Sequence, residues 1–144
     1  MARPLDTNVI IRDLTQDTPA LSEQAHAFLQ RVERGEETVR LTEGVLVEAV
    51  QVLSSKTLYN RPRAEIRDRL TAIIELDGVQ LPDKPRYIRA LAIYASTPAL
   101  DFVDALLVVY AEEESPAEVV SFDQDFDPVP GITRRQPDAH GQLS

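Results

Sequence analysis

Leu5-Asp6-Thr7-Asn8-Val9-Ile10-Ile11 sets an acid and two small polar residues directly before an apolar run. A carboxylate in apolar surroundings needs a cation, because burying it alone is costly. Val9, Ile10, Ile11 and Leu14 fit the first turns of a helix or a strand-to-helix turn. Pro4 cannot sit in the middle of a sheet, so the strand before Asp6 is very short or begins at Pro4 itself.

Working outward, Thr18-Pro19 reads as an N-cap followed by proline at the first helical position, and Leu21, Ala25, Phe28, Leu29 and Val32 repeat at helical spacing up to Gly35. His26 lies one position off that series, as expected of a surface or boundary residue. Thr38 to Leu41 reads as a strand, and Thr42 caps a helix from about Glu43. This helix is apolar nearly all round, which predicts burial on most faces, and Glu48 sits in its middle. Its helical neighbours Gly44, Val45, Gln51 and Val52 offer no basic partner. A further helix starts at Asn60-Arg61-Pro62, carries Ile66, Leu70, Ile73 and Ile74 on one face, and ends at Gly78. Val79 to Leu81 is a short strand, Pro85 opens the next helix, and Thr97-Pro98 repeats the cap-plus-proline signature.

From Ala99 the chain is again apolar almost throughout, with Asp101 and Asp104 its only charges before the Glu112-Glu113-Glu114 run. Asp101 falls where an acid is stabilised by the helix dipole, whereas Asp104 is read as lying deeper, where that explanation weakens. Ala117 to Phe122 reads as a buried strand with Asp123 and Asp125 at its C-terminal end, where open α/β sheets place their ligands. Asp127-Pro128 is turn chemistry. Only Gly131 to Arg134 looks strand-like after that. Residues 136–144 form a polar tail expected to fray.

The chain has 144 residues, 43% of them hydrophobic, which matches one domain with a single core; we expect that domain over residues 1–135. It has no cysteine and 2 histidines, which excludes disulfide frameworks and zinc sites of the Cys/His kind. No charged-then-apolar leader or long uncharged apolar stretch is visible, so a cytoplasmic protein without membrane association is expected. With 15 basic and 24 acidic residues the net charge is -9, which disfavours a generic electrostatic grip on nucleic acid. The basic residues are clustered, at Arg61, Arg63, Arg67 and Arg69, at Lys84, Arg86 and Arg89, and at Arg134 and Arg135. No Gly-rich phosphate loop occurs.

Short strands alternating with helices predict an α/β domain with a short, mainly parallel central sheet, whose strand C-termini gather on one edge. Asp6 and Asp123 belong to that edge, and Glu48 and Asp104 to helices able to pack beside it. Carboxylates gathered without a fixed basic partner are oxygen ligands of the kind Mg²⁺ or Mn²⁺ prefers.

The stretches Leu5-Asp6-Thr7-Asn8-Val9, Val47-Glu48-Ala49, Asp101-Phe102-Val103-Asp104-Ala105-Leu106 and Ser121-Phe122-Asp123-Gln124-Asp125-Phe126, in this order and at these intervals, resemble a PIN-domain ribonuclease of the VapC toxin type. The resemblance covers essentially the whole chain and implies a three-layer α/β/α fold. It implies that Asp6, Glu48, Asp104 and Asp123 form the catalytic, metal-holding cluster, with Asp101 a further metal ligand. Asp125 is an auxiliary acid, and Thr7, Asn8 and Ser121 bond to these carboxylates or to metal-bound water. The implied reaction is Mg²⁺- or Mn²⁺-dependent hydrolysis of an RNA phosphodiester by a metal-activated water, leaving a 5′-phosphate and a 3′-hydroxyl. The implied partners are RNA, a cognate VapB-like antitoxin that places a basic residue near Asp6, and a second copy in a homodimer. The faces of Leu21 to Val32 and of Ile66, Leu70, Ile73 and Ile74 are expected to supply apolar surface for these contacts. Two alternatives stay open. One is a PIN-like RNA- or protein-binding module without turnover. The other is a HAD-like phosphatase, which also begins with an Asp after its first strand but wants a second Asp where Asn8 stands.

Overall fold

Proline shortens the first strand, and the strand that results is two residues long. In the computed structural model, which describes residues 1–144, β1 is Arg3–Pro4. It runs parallel to β2, Val39–Arg40, which pairs in turn with β3, Val79–Gln80. The order is β1-β2-β3, in the register Arg3 with Val39 and Val39 with Val79. As an outer strand of this ladder β1 can contain Pro4. Bonds beyond the strand ends extend the pairing. The amides of Leu5, Val39 and Leu41 donate to the carbonyls of Arg40, Gly78 and Gln80, each at 2.9 Å.

Helices separate these strands. α1, Thr7–Leu14, begins directly after Asp6 and packs on α2, Pro19–Glu33, and on α3, Glu43–Ser54. Thr18-Pro19 starts α2 as expected, and Gly35, at φ 75°, stands just past its end. Thr42 caps α3, its hydroxyl accepting from the Val45 amide at 3.3 Å. α4, Arg63–Ile74, starts later than its sequence pattern implies: Asn60 takes a left-handed φ of 47° and Pro62 is the N-cap. It also stops short of Gly78.

Two expectations about helix faces are corrected. α3 buries Leu46, Ala49, Val50 and Leu53 but leaves Gly44, Glu48 and Gln51 exposed, so its apolar composition does not mean burial on most faces. Ile66, Leu70, Ile73 and Ile74 of α4 are all buried, so that face is consumed by the fold and is not available to a partner.

The chain divides into two compact units, Met1–Ile88 and Arg89–Ser144, with the boundary inside α5, Lys84–Ser96. The second unit contains α6, Phe102–Glu112; β4, Glu118–Val120; a short 3-10 turn, Gln124–Phe126; and β5, Thr133–Arg135. β4 and β5 are parallel, with Glu118 opposite Thr133. Every strand pair is parallel, as the alternating pattern requires, but the hydrogen bonds form a three-stranded and a two-stranded ladder rather than one continuous sheet. α6 begins at Phe102, not at Thr97-Pro98, with Asp101 as its cap; Thr97 closes a turn, its carbonyl accepting from the Leu100 amide at 3.0 Å. Residues 136–144 turn back on themselves through a Pro137–Leu143 bridge and paired bonds between Gln136 and Ser144. No helix is long and apolar enough to cross a membrane.

Gly78 makes the first ladder possible. Its amide donates to Val32 at 3.0 Å and its carbonyl accepts from Val39, and a Cβ there would press on the carbonyl oxygens of Val32 and Glu37. Backbone cannot yield as a side-chain tip can. Gly78→Ala should therefore cost about 1–3 kcal/mol, read as a lower denaturation midpoint; an unchanged midpoint would show that this approach is not tight.

Candidate active site

The acids of the first unit follow from β1 and α3. Asp6 occupies the N-cap position of α1, yet its carboxylate makes no capping bond. Thr42 and Asp101 accept bonds from the helices they open, whereas the side chain of Thr18, like that of Asp6, does not. Asp6 is exposed and structurally uncommitted. Thr7 beside it is the opposite case, buried at 2% exposure with a hydroxyl that has no hydrogen-bond partner. A buried hydroxyl left unsatisfied costs about 1–3 kcal/mol, and such groups are commonly served by water or an ion. Asn8 is exposed on the same turn.

Glu48 departs from its sequence reading. It is exposed in the middle of α3 rather than held in apolar surroundings, so desolvation gives it no need of a cation. Its remaining claim on the site is its place on a helix that packs against α1.

The second unit gathers its acids more closely. Asp101 is the N-cap of α6 and Asp104 is its third residue, and the two form a reciprocal capping box. The Asp104 amide donates to the Asp101 carboxylate at 2.8 Å, and the Asp101 amide to the Asp104 carboxylate at 3.4 Å. Asp104 is therefore in the first turn and not deep in the helix. Its carboxyl is pushed above the usual carboxylate value, first by burial and then by the charges of Asp101 and Asp123. A cap alone would not require Asp123 to be near.

Asp123 is positioned by its loop. The Ser121 hydroxyl accepts the Asp123 amide at 2.9 Å, which holds the backbone of the loop and leaves its O–H to donate. Asp123 in turn accepts the Asp125 amide at 2.8 Å and starts the 3-10 turn, while Phe126 is anchored at 1% exposure. Asp125 is exposed, and its backbone amide makes this bond. Sequence reasoning missed Arg134. Its guanidinium forks onto Asp127 at 2.7 and 3.4 Å and reaches the Ser121 carbonyl at 3.1 Å, tying both ends of the Asp123 loop to β5. The only signal in the sequence was an arginine in a strand-like stretch opposite an acidic turn.

A family model, the PIN domain, matches residues 5–132. The chain belongs to the PIN domain family. The comparison with curated proteins returns no match. PIN domains are generally nuclease modules that need a metal and bind RNA, and the HAD-like alternative falls away. Within neither unit do three acid or histidine side chains close to ligating distance. In each unit the candidate donors are oxygens, the kind a hard divalent ion prefers, as a PIN domain needs; in the first the Thr7 hydroxyl is unsatisfied, and in the second Asp104 is under like-charge repulsion.

That repulsion can be measured. A folded-state pKa above the unfolded one means the folded protein takes up a proton first, so Asp104 adds stability as pH falls into that window and removes it as pH rises past the folded value. Without metal, Asp104→Asn keeps the acceptor for the Asp101 amide while relieving the repulsion. It should raise the melting temperature at neutral pH by about 1–2 °C, and the gain should shrink on acidification. A drop at neutral pH would mean the carboxylate is needed for the fold.

Proposed function

We propose that this PIN domain is a metal-dependent endoribonuclease, the VapC-type toxin of a toxin-antitoxin pair, with residues 1–135 as its nuclease module. The observation that carries the reading is the match of the PIN family over residues 5–132, supported by the capping-box pairing of Asp101 with Asp104 and the like charges of Asp101 and Asp123 acting on Asp104. Repulsion of this kind has no structural benefit beyond the cap, and a divalent ion would relieve it. In this reading Asp6, Glu48, Asp104 and Asp123 hold a Mg²⁺ or Mn²⁺ ion, with Asp101 assisting. Once bound, such an ion lowers the pKa of water toward neutrality and offsets charge developing on the phosphoryl group.

The chain's own residues do the rest. Asp101 orients Asp104 through the capping box, while Ser121 and Arg134 hold the Asp123 loop. Asp6 is free of capping duty and able to ligate. Thr7 and Asn8 stand next to it as support, and Asp125 as an outer acid.

A VapB-like antitoxin with a basic segment would be drawn to the same acids. For the proposed homodimer the support is a stripe on α6, where Val103, Leu107 and Tyr110, spaced to share one face, remain 43%, 42% and 37% exposed. A cytoplasmic location is part of the same proposal. The competing reading, a PIN-like binding module without turnover, draws on the exposure of Glu48.

Activity separates the two. The purified chain should cleave single-stranded RNA with Mn²⁺ or Mg²⁺ and stop with EDTA, and Asp6→Asn and Asp123→Asn should each lose at least about 100-fold. Wild-type rates in either variant would remove that residue from the site, and no cleavage by the wild type would leave the binding module. Millimolar Mn²⁺ should also raise the melting temperature, since it binds only the folded state. Sedimentation as a monomer would count against the dimer.

A further inference from the structure

The hollow beside Asp6 differs in charge from the rest of this acidic chain. It encloses about 620 Å³ within the first unit and is bordered by Asp6 and Asn8, by Arg3 and Arg12, and by Gln24 and Phe28 of α2; the remaining wall is apolar. Two arginines and one acid thus line the hollow of a protein whose charges sum to -9. One nitrogen of Arg12 meets Asp17 at 3.4 Å and one of Arg3 meets Glu37 at 3.6 Å, but neither acid lines the hollow. Exposed pairs of this kind hold weakly, and each guanidinium keeps further donors.

The size suits a small ligand, since such pockets run from about 300 to 1,000 Å³. Its chemistry suits a flat, polar-edged ring carrying negative charge nearby. Phe28, half-buried, supplies an aromatic surface, and the exposed amides of Gln24 and Asn8 each offer both a donor and an acceptor. Single-stranded RNA is recognised in this way, by stacking unpaired bases on aromatic rings and bonding their edges.

We propose that this hollow receives one unstacked base of single-stranded RNA. The base lies against Phe28, its edge is read by Gln24 and Asn8, and neighbouring phosphates are held by Arg3 and Arg12. This rests on the ribonuclease reading and adds where the substrate is gripped beside Asp6. A basic antitoxin segment drawn to the acids themselves need not enter the hollow, where a cationic peptide would meet two like charges and is the weaker occupant.

The chain has no tryptophan, so Phe28→Trp places the sole indole in the hollow. With EDTA present to prevent turnover, five-nucleotide single-stranded RNA should quench its fluorescence saturably. Adding Arg12→Ala should weaken that binding on the order of tenfold. In Mn²⁺, Phe28→Ala should raise KM on the order of tenfold, the loss typical of one stacked base, and Gln24→Ala should change the ranking among oligomers differing at one base. If Phe28→Trp does not fold, Leu21→Trp, on the rim and 44% exposed, gives the same readout. Wild type that cleaves the RNA while the indole is not quenched overturns the base site and spares the nuclease. Quenching without wild-type cleavage keeps the base site and points to a binding module. Quenching by an arginine-rich peptide but not by RNA overturns the proposal in favour of a peptide groove.

Discussion

A parallel strand of two residues has too few ladder bonds to hold its own register, and that constraint governs the first unit. β1 and β3 hold β2 between them, amide-to-carbonyl bonds at Leu5, Val39 and Leu41 extend the short ladders, and burial of those same residues with Val79 and Leu81 fixes them in place. Gly78 lets the α2 terminus approach the ladder closely enough to join it. Because Leu5 is locked at 4% exposure, the next residue must emerge at the strand's end. Asp6 is placed by this hydrophobic anchor and by its carbonyl, which accepts from the Val9 amide at 3.1 Å, and not by any bond of its side chain.

The acids of the second unit are placed by bonds. Asp101 and Asp104 satisfy each other's backbone at the head of α6, and Ser121, Arg134 and Phe126 hold the turn that carries Asp123. Such local satisfaction explains why a structure tolerates acids there, while burial first and then the charges of Asp101 and Asp123 raise the proton affinity of Asp104. A capping pair needs only one charge to meet the helix dipole. The second and third charges are a cost that the fold accepts, as functional sites commonly do.

The acidic sum of the chain looks adverse to RNA, yet charge is distributed unevenly. Arg3 and Arg12 border the hollow at Asp6, whereas much of the negative charge stands in exposed side chains such as Glu112 and Glu114. Local potential, and not net charge, decides where a phosphate is drawn.

Helix starts and stops were legible in the sequence because caps act over three or four residues: Thr18-Pro19, Thr42 and Gly35 each stand where their chemistry implies. The parallel pairing and the family followed from the order of elements and the spacing of Asp6, Glu48, Asp101, Asp104 and Asp123. Tertiary structure alone decided how much cover each face receives. The apolar run of α3 looked buried on most sides, but packing on one side leaves Glu48 exposed; the Ile66 to Ile74 face looked available and is covered completely. Periodicity records which side chains avoid water and says nothing of how many neighbours arrive to exclude it. The same reason hid the stronger cap at Asp101 behind Thr97-Pro98, and hid the bracing role of Arg134, since its partners Ser121 and Asp127 lie 13 and 7 residues away in sequence and meet it only when β5 pairs with β4.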